Sequence, residues 1–155
     1  MPGAGAIGAA PTAEALAGLG LPKEQAEASV KAITDKPKVT GSPTHIYAAM
    51  KVKEGADVAA MTAAVKAYGT ASKAAPGNIS GNYCISDGEV ILYEVFDSPA
   101  AMDIHIGFCF PEYIKIVPHA DMAEIICITD PSEVEWWKKS ASAWGAKKFI
   151  VAGSA

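Results

Sequence analysis

The dipeptide Asp87-Gly88 sits between Ile79–Ser86 and Glu89–Phe96, two runs carrying several β-branched and aromatic residues. A two-residue Asp-Gly loop supplies the positive φ angles whose twist suits antiparallel strands, so it specifies a hairpin and its register. An isolated hairpin is marginal in water, and the surrounding chain must therefore supply further strands or a covering helix.

It supplies both. Upstream, His45–Val52 alternates, with Ile46, Ala48, Met50 and Val52 on one face and His45, Tyr47, Ala49 and Lys51 on the other. That is a strand with one aliphatic side. Gly55-Ala56-Asp57 then opens a helix in which Val58, Met61, Val65 and Tyr68 recur at helical spacing as a buried stripe, closed by Pro76-Gly77-Asn78. Downstream, Ser98-Pro99 provides an N-cap and a first-turn proline for a second helix through about Phe108; Pro111–Val117 adds a short turn. Isoleucine-rich Met122–Thr129 is a further strand. Residues 44–129 thus read β-α-β-β-α-β, the ferredoxin-like order of an α+β fold.

Two flanking regions stand apart. Residues 1–43 are an N-terminal extension: a Gly/Ala/Pro-rich start, two short helices over Thr12–Leu19 and Pro22–Ile33, and a linker marked by Lys36-Pro37 and Gly41-Ser42-Pro43. Residues 130–155 begin with Asp130-Pro131-Ser132-Glu133, a capped helix start, and the helix places Val134, Trp137, Ala141 and Trp144 on one face. Trp136, about 100° away from Trp137, is left for a flank or interface contact. Lys147–Ala152 is a final strand or extended tail.

At 155 residues the chain is one domain with room for a core that needs no staple. Its net charge of −4, with no basic run beyond paired lysines, argues against nucleic acid as a partner. No window approaches the length of a membrane span, and the start lacks the basic residues of a signal peptide. Cys84, Cys109 and Cys127 form no C-x-x-C pair, which signals neither zinc nor a redox dithiol. A reducing compartment, cytoplasmic or organellar, suits them. Cys84 and Cys127, in strands, read as small buried hydrophobes.

Pro76-Gly77-Asn78, Asp87-Gly88 and the run Tyr93-Glu94-Val95-Phe96-Asp97-Ser98-Pro99-Ala100-Ala101-Met102-Asp103-Ile104-His105 resemble the antibiotic-biosynthesis-monooxygenase-like family. There a PG turn, a hairpin and an acid–aromatic–serine–histidine run recur. The resemblance covers about residues 44–129. It implies a homodimeric α+β barrel in which two four-stranded sheets meet face to face, each subunit holding a small pocket between sheet and helices. It also implies an activity from a varied set: oxidation of phenolic or quinol compounds with oxygen and no cofactor, isomerisation of small metabolites, or no chemistry. The haem-degrading branch relies on a tryptophan near the third strand, whereas the tryptophans here are 136, 137 and 144.

Cofactor-free oxygenation needs a base, donors for the resulting anion and an apolar cavity. His105, at the family's histidine position on the second helix, is the expected catalytic base, since imidazole exchanges protons near neutrality. Tyr47, Asn82, Tyr93, Glu94, Phe108 and Tyr113 are the expected substrate contacts: phenols and an amide for hydrogen bonding, aromatics to line a slot for a flat ligand. Each has a plainer reading. A histidine caps or packs a helix, tyrosines fill cores, Asn82 stands on a solvated face with Ser80, Cys84 and Ser86, and Phe108, Phe110 and Tyr113 pack together. Glu94 shares a face with Val90, Leu92 and Phe96, where a lone carboxylate is costly and a structural hydrogen-bonding role is favoured. No metal spacing links His45, His105 and His119, so no metal is expected, and the resemblance implies no bound cofactor. The alternatives to a monooxygenase-like enzyme are a non-catalytic dimeric binding or assembly module and a small-metabolite isomerase.

Overall fold

The computed structural model describes residues 11–35, 43–141 and 145–154. The extreme N-terminus, most of the linker after residue 35 and Trp144 lie outside the described residues. Elements in chain order are α1 (Ala13–Gly18), α2 (Lys23–Asp35), β1 (Thr44–Val52), α3 (Val58–Ala74), β2 (Asn78–Ser86), β3 (Glu89–Phe96), α4 (Pro99–Tyr113), β4 (Ala120–Thr129), a 3-10 turn (Pro131–Glu133), α5 (Val134–Ala141) and β5 (Lys148–Gly153).

Asp87 and Gly88 adopt φ of 50° and 77°, and β2 and β3 pair antiparallel from Ser86 opposite Glu89 outward. The sheet runs β2-β3-β1-β4-β5, and its first four strands are antiparallel neighbours in ferredoxin-like order. β5 joins parallel to β4. A parallel neighbour requires a crossover connection, and the turn at Pro131–Glu133 with α5 provides it. Of the two readings of Lys147–Ala152, final strand or extended tail, the strand is the one the fold adopts.

One face of the sheet carries the core. Ile46, Ala48 and Met50 of β1, Val90, Leu92 and Phe96 of β3, and Met122, Ile125 and Cys127 of β4 are all buried there. α3 and α4 cover this face. Asp57 caps α3, accepting from the Ala60 amide at 2.9 Å, and Ser98 caps α4, accepting from Ala101 at 3.2 Å. Two boundaries differ from expectation. Val58 is 57% exposed, so the buried stripe of α3 starts one turn later, at Met61, and runs on to Ser72. α4 does not stop at Phe108 but continues through Pro111 to Tyr113. A proline near a helix end forfeits one hydrogen bond, and the burial of Cys109, Phe110 and Tyr113 offsets it.

The N-terminal helices are not a detached appendage. Leu16, Leu21 and Ala26 belong to the same buried cluster as the sheet residues. α2 packs on α4, where Gln25 Nε2 donates to Asp103 Oδ1 at 2.8 Å. α4 is thus apolar nearly all round because it is covered nearly all round. On α5, Trp137 is fully buried and Trp136 stacks edge-on against it at 4.9 Å, which gives Trp136 a place on the flank of the core.

Candidate functional site

Period-2 alternation in β3 sends Glu94 to the helix-covered face between Leu92 and Phe96. Burying a carboxylate there requires donors, and two elements, α3 and β2, deliver them. Ser72, on the last turns of α3, donates to Glu94 Oε1 at 2.6 Å. The Tyr83 hydroxyl of β2 lies 2.8 Å from the same oxygen and 2.5 Å from Ser72 Oγ. Tyr68, one turn before Ser72, brings its hydroxyl to 3.4 Å from Oε2. Asn78 Nδ2 completes the shell with a 2.8 Å bond to Ser72 Oγ.

Two glycines make room for the Tyr83 ring. A Cβ on Gly69 of α3 would lie 2.8 Å from Tyr83 Cδ2, and one on Gly81 of β2 would collide with the phenol oxygen. The slot between helix and strand exists only because both residues lack side chains.

His105 of α4 is fully buried beside this cluster. Its Nε2 is 2.9 Å from the Tyr68 hydroxyl and 3.6 Å from Glu94 Oε2. Its Nδ1 faces Ser72 Oγ at 3.3 Å and Cys109 Sγ at 3.4 Å. The Tyr68 hydroxyl has a single proton; given along its shorter contact, to Nε2, it makes Nε2 the acceptor and leaves the ring proton on Nδ1. Burial lowers the His105 pKa, with the Glu94 charge opposing, so the imidazole is held neutral. Burial, then Glu94, push Tyr68, Tyr83 and Cys109 upward, so these groups keep their protons.

A cavity of about 30 Å³ lies between the sheet and the two helices, lined by Ile46, Ala48, Leu92, Met102, Ile125 and Cys127 among apolar groups. Tyr68 and Glu94 are on its wall, as are Tyr113 and Met122; His105 is not. The imidazole therefore connects to the cavity through Tyr68, a lining residue whose hydroxyl it contacts. The space admits one or two waters as it stands, and a larger occupant must displace flexible side chains such as Met102 and Met122.

The expected site residues separate into groups. Glu94 and His105 meet, and Tyr113 lines the cavity they adjoin. Tyr47, Asn82 and Tyr93 do not join them. In the sheet Tyr47 and Asn82 both pair with Tyr93, and strand alternation puts all three on the face opposite Glu94. There Asn82 is exposed, as is Cys84, which is not the buried hydrophobe expected. Tyr93 hydrogen-bonds His45 Nδ1 at 2.8 Å, over a separate groove floored by Ile126 and Ile128. Phe108 also departs: it lines an outer groove with Ile33, Pro76 and Asp97, about 100° around α4 from Cys109. Tyr68, Ser72, Tyr83 and Asn78 were not anticipated as site residues. The available signal was a buried carboxylate position with polar residues on the facing stripe and strand, which must satisfy one another. Among the described residues no cluster of His, Cys, Asp and Glu could hold a metal ion, and no helix is long and apolar enough to cross a membrane.

No family model matches the sequence, and no curated protein matches it. Solved structures do. MupZ from Pseudomonas fluorescens superposes with a TM-score of 0.62 at 10% identity, over 73% of this chain and 87% of that one. Rv0793 from Mycobacterium tuberculosis gives 0.48 at 23% identity, over 55% and 91%. A candidate antibiotic biosynthesis monooxygenase from Chloroflexus aurantiacus J-10-fl gives 0.46 at 18% identity, over 55% and 89%. The chain has the ferredoxin-like α+β fold that the resemblance to antibiotic-biosynthesis-monooxygenase-like proteins implied. At these identities the likeness defines architecture and not chemistry.

Proposed function

We propose that this protein is a cofactor-independent, monooxygenase-like small-molecule enzyme acting on a phenolic or quinol-type compound, and that its base is His105 working through Tyr68. The carrying observation is Tyr68, which lines the cavity while its hydroxyl lies 2.9 Å from the buried His105 Nε2. A substrate hydroxyl in the cavity passes its proton to the Tyr68 oxygen as the Tyr68 proton moves to Nε2. The imidazolium so formed lies 3.6 Å from Glu94, whose carboxylate compensates it. The substrate anion left behind is electron-rich and shielded from bulk water by an apolar wall, the condition for reaction with oxygen.

The opposite sheet face supports the second half of the reading, a homodimer. Tyr93, Ile128 and Ile150 are 40%, 46% and 41% exposed there, beside Tyr47, Ile91 and Ile126. A flat apolar face of this kind is the surface through which two sheets stack.

Oxygen uptake on a panel of phenols and naphthoquinols tests the chemistry, with Tyr68→Phe as the control. Removing a general acid–base group costs about 10²–10⁴ in rate, so Tyr68→Phe should lose most of the uptake. Uptake no faster than substrate autoxidation, or uptake unaffected in Tyr68→Phe, would refute the proposal.

A further inference from the structure

The inner cavity has a neighbour. At the end of α4 a second space of about 320 Å³ is bounded by Tyr113, Val117, Ala120, Asp121, Met122, Gly145 and Lys147. Tyr113 and Met122 also line the inner cavity. The two spaces therefore share a wall of two side chains. Both are buried, and one is a methionine, whose unbranched chain rearranges at little cost.

The outer space has the size of a small-molecule site, whereas the inner one holds only water-sized occupants. Its rim carries both signs of charge. Asp121 pairs with Lys53 at 3.3 Å, which compensates the carboxylate. Lys147 is exposed and brings an ammonium to the same rim. Tyr113 keeps its proton, its pKa pushed up to about 12 by burial and then by Asp121, so the partition carries no charge of its own.

We propose that this outer groove is the access route to the inner cavity, with Tyr113 and Met122 as the movable partition and Lys147 selecting ligands that carry an anionic group such as a carboxylate. The inference deepens the reading of the inner cavity as a ligand site and rests on it. A ligand docks its aromatic body against Tyr113 and Val117 with its anion toward Lys147. Displacement of the partition then joins the two spaces and brings the reactive end to Tyr68.

Cys127 lines the inner cavity and reports on this route without any turnover. Cys109 is equally buried but is not on that cavity's wall, and so it reports general loosening. In a Cys84→Ser background, labelling by an anionic methanethiosulfonate (the ethylsulfonate) and its cationic trimethylammonium counterpart is followed at each cysteine by mass spectrometry. Tyr113→Ala should speed labelling of Cys127 about tenfold and leave Cys109 unchanged, because only the local opening step is removed. Normalised to a free thiol, the anionic reagent should label Cys127 about fivefold faster than the cationic one, and Lys147→Glu should reverse that order. Equal acceleration of both cysteines, no acceleration of Cys127, or a charge preference indifferent to Lys147→Glu would overturn the route. Should Tyr113→Ala fail to fold, Met122→Ala and the charge preference of the unaltered partition give the same decision. Labelled Cys127 in a protein that never consumes oxygen would sink the oxygenase reading and leave the access route standing.

Discussion

Ser72→Ala removes the hub of the buried network while adding no atom and no strain. Ser72 Oγ donates to Glu94 Oε1 at 2.6 Å, receives Asn78 Nδ2 at 2.8 Å, and lies 2.5 Å from the Tyr83 hydroxyl and 3.3 Å from His105 Nδ1. The bond to the carboxylate, being charge-assisted and buried, contributes about 1.5–3 kcal/mol. Tyr83 keeps Glu94 as a partner, whereas the half-buried Asn78 amide loses its acceptor, which costs about 1 kcal/mol. Alanine's better helix propensity returns about 0.5 kcal/mol. The net expectation is a loss of about 2–3.5 kcal/mol, which for a chain this long lowers Tm by about 6–11 °C. Urea unfolding at pH 8, where His105 is neutral in both states, measures it through the fluorescence of buried Trp137. A double-mutant cycle with Glu94→Gln should show coupling of about 1–2 kcal/mol, since the two groups share a hydrogen bond. A loss below about 0.5 kcal/mol with additive singles would show that the short contacts around Ser72 contribute nothing, and the network argument would fall with it.

Two further outcomes are expected. Burial raises Asp103 to about 6 from 3.8 despite its bond from Gln25, so the folded state holds this proton more tightly than the unfolded chain. Stability should then fall as pH rises from about 4 to 6 and level off above. Asp103→Asn keeps the acceptor and removes the charge: about two units at 1.36 kcal/mol each, discounted for partial exposure, gives a gain of about 1–2 kcal/mol at pH 8. Near pH 3.5 the variant should match the parent, and an equal gain at both pH values in urea titrations would refute the assignment. On the sheet's open face, Ile128→Glu should convert a dimer to a monomer in light scattering, because a charge cannot be buried there unpaired. A parent that is monomeric at about 10 µM would dispose of the sheet-to-sheet interface, whose stable forms bury well over 1,000 Å².

The order of elements was legible because its signals are local. Asp87-Gly88 fixes φ within its own two residues, Asp57 and Ser98 cap the helices they precede, and alternation in β1 and β3 says which side chains turn inward. The same alternation announced Glu94 as a buried carboxylate. It did not announce the continuation of α4 past Pro111, where burial on several sides outweighs a local breaker.

What meets Glu94 could not be read in this way. Ser72, Tyr83 and His105 lie on α3, β2 and α4, and only strand register and helix packing bring them together. Register also separated Tyr47, Asn82 and Tyr93 from Glu94: paired across three strands, they share the opposite face of the sheet. The β-α-β-β-α-β order and the inward direction of single residues follow from local signals, because dihedral preference and periodicity act over a few positions. Tertiary structure alone decided that His105 stands one phenol away from the cavity, because contact between distant segments follows from packing, to which no single segment holds the key.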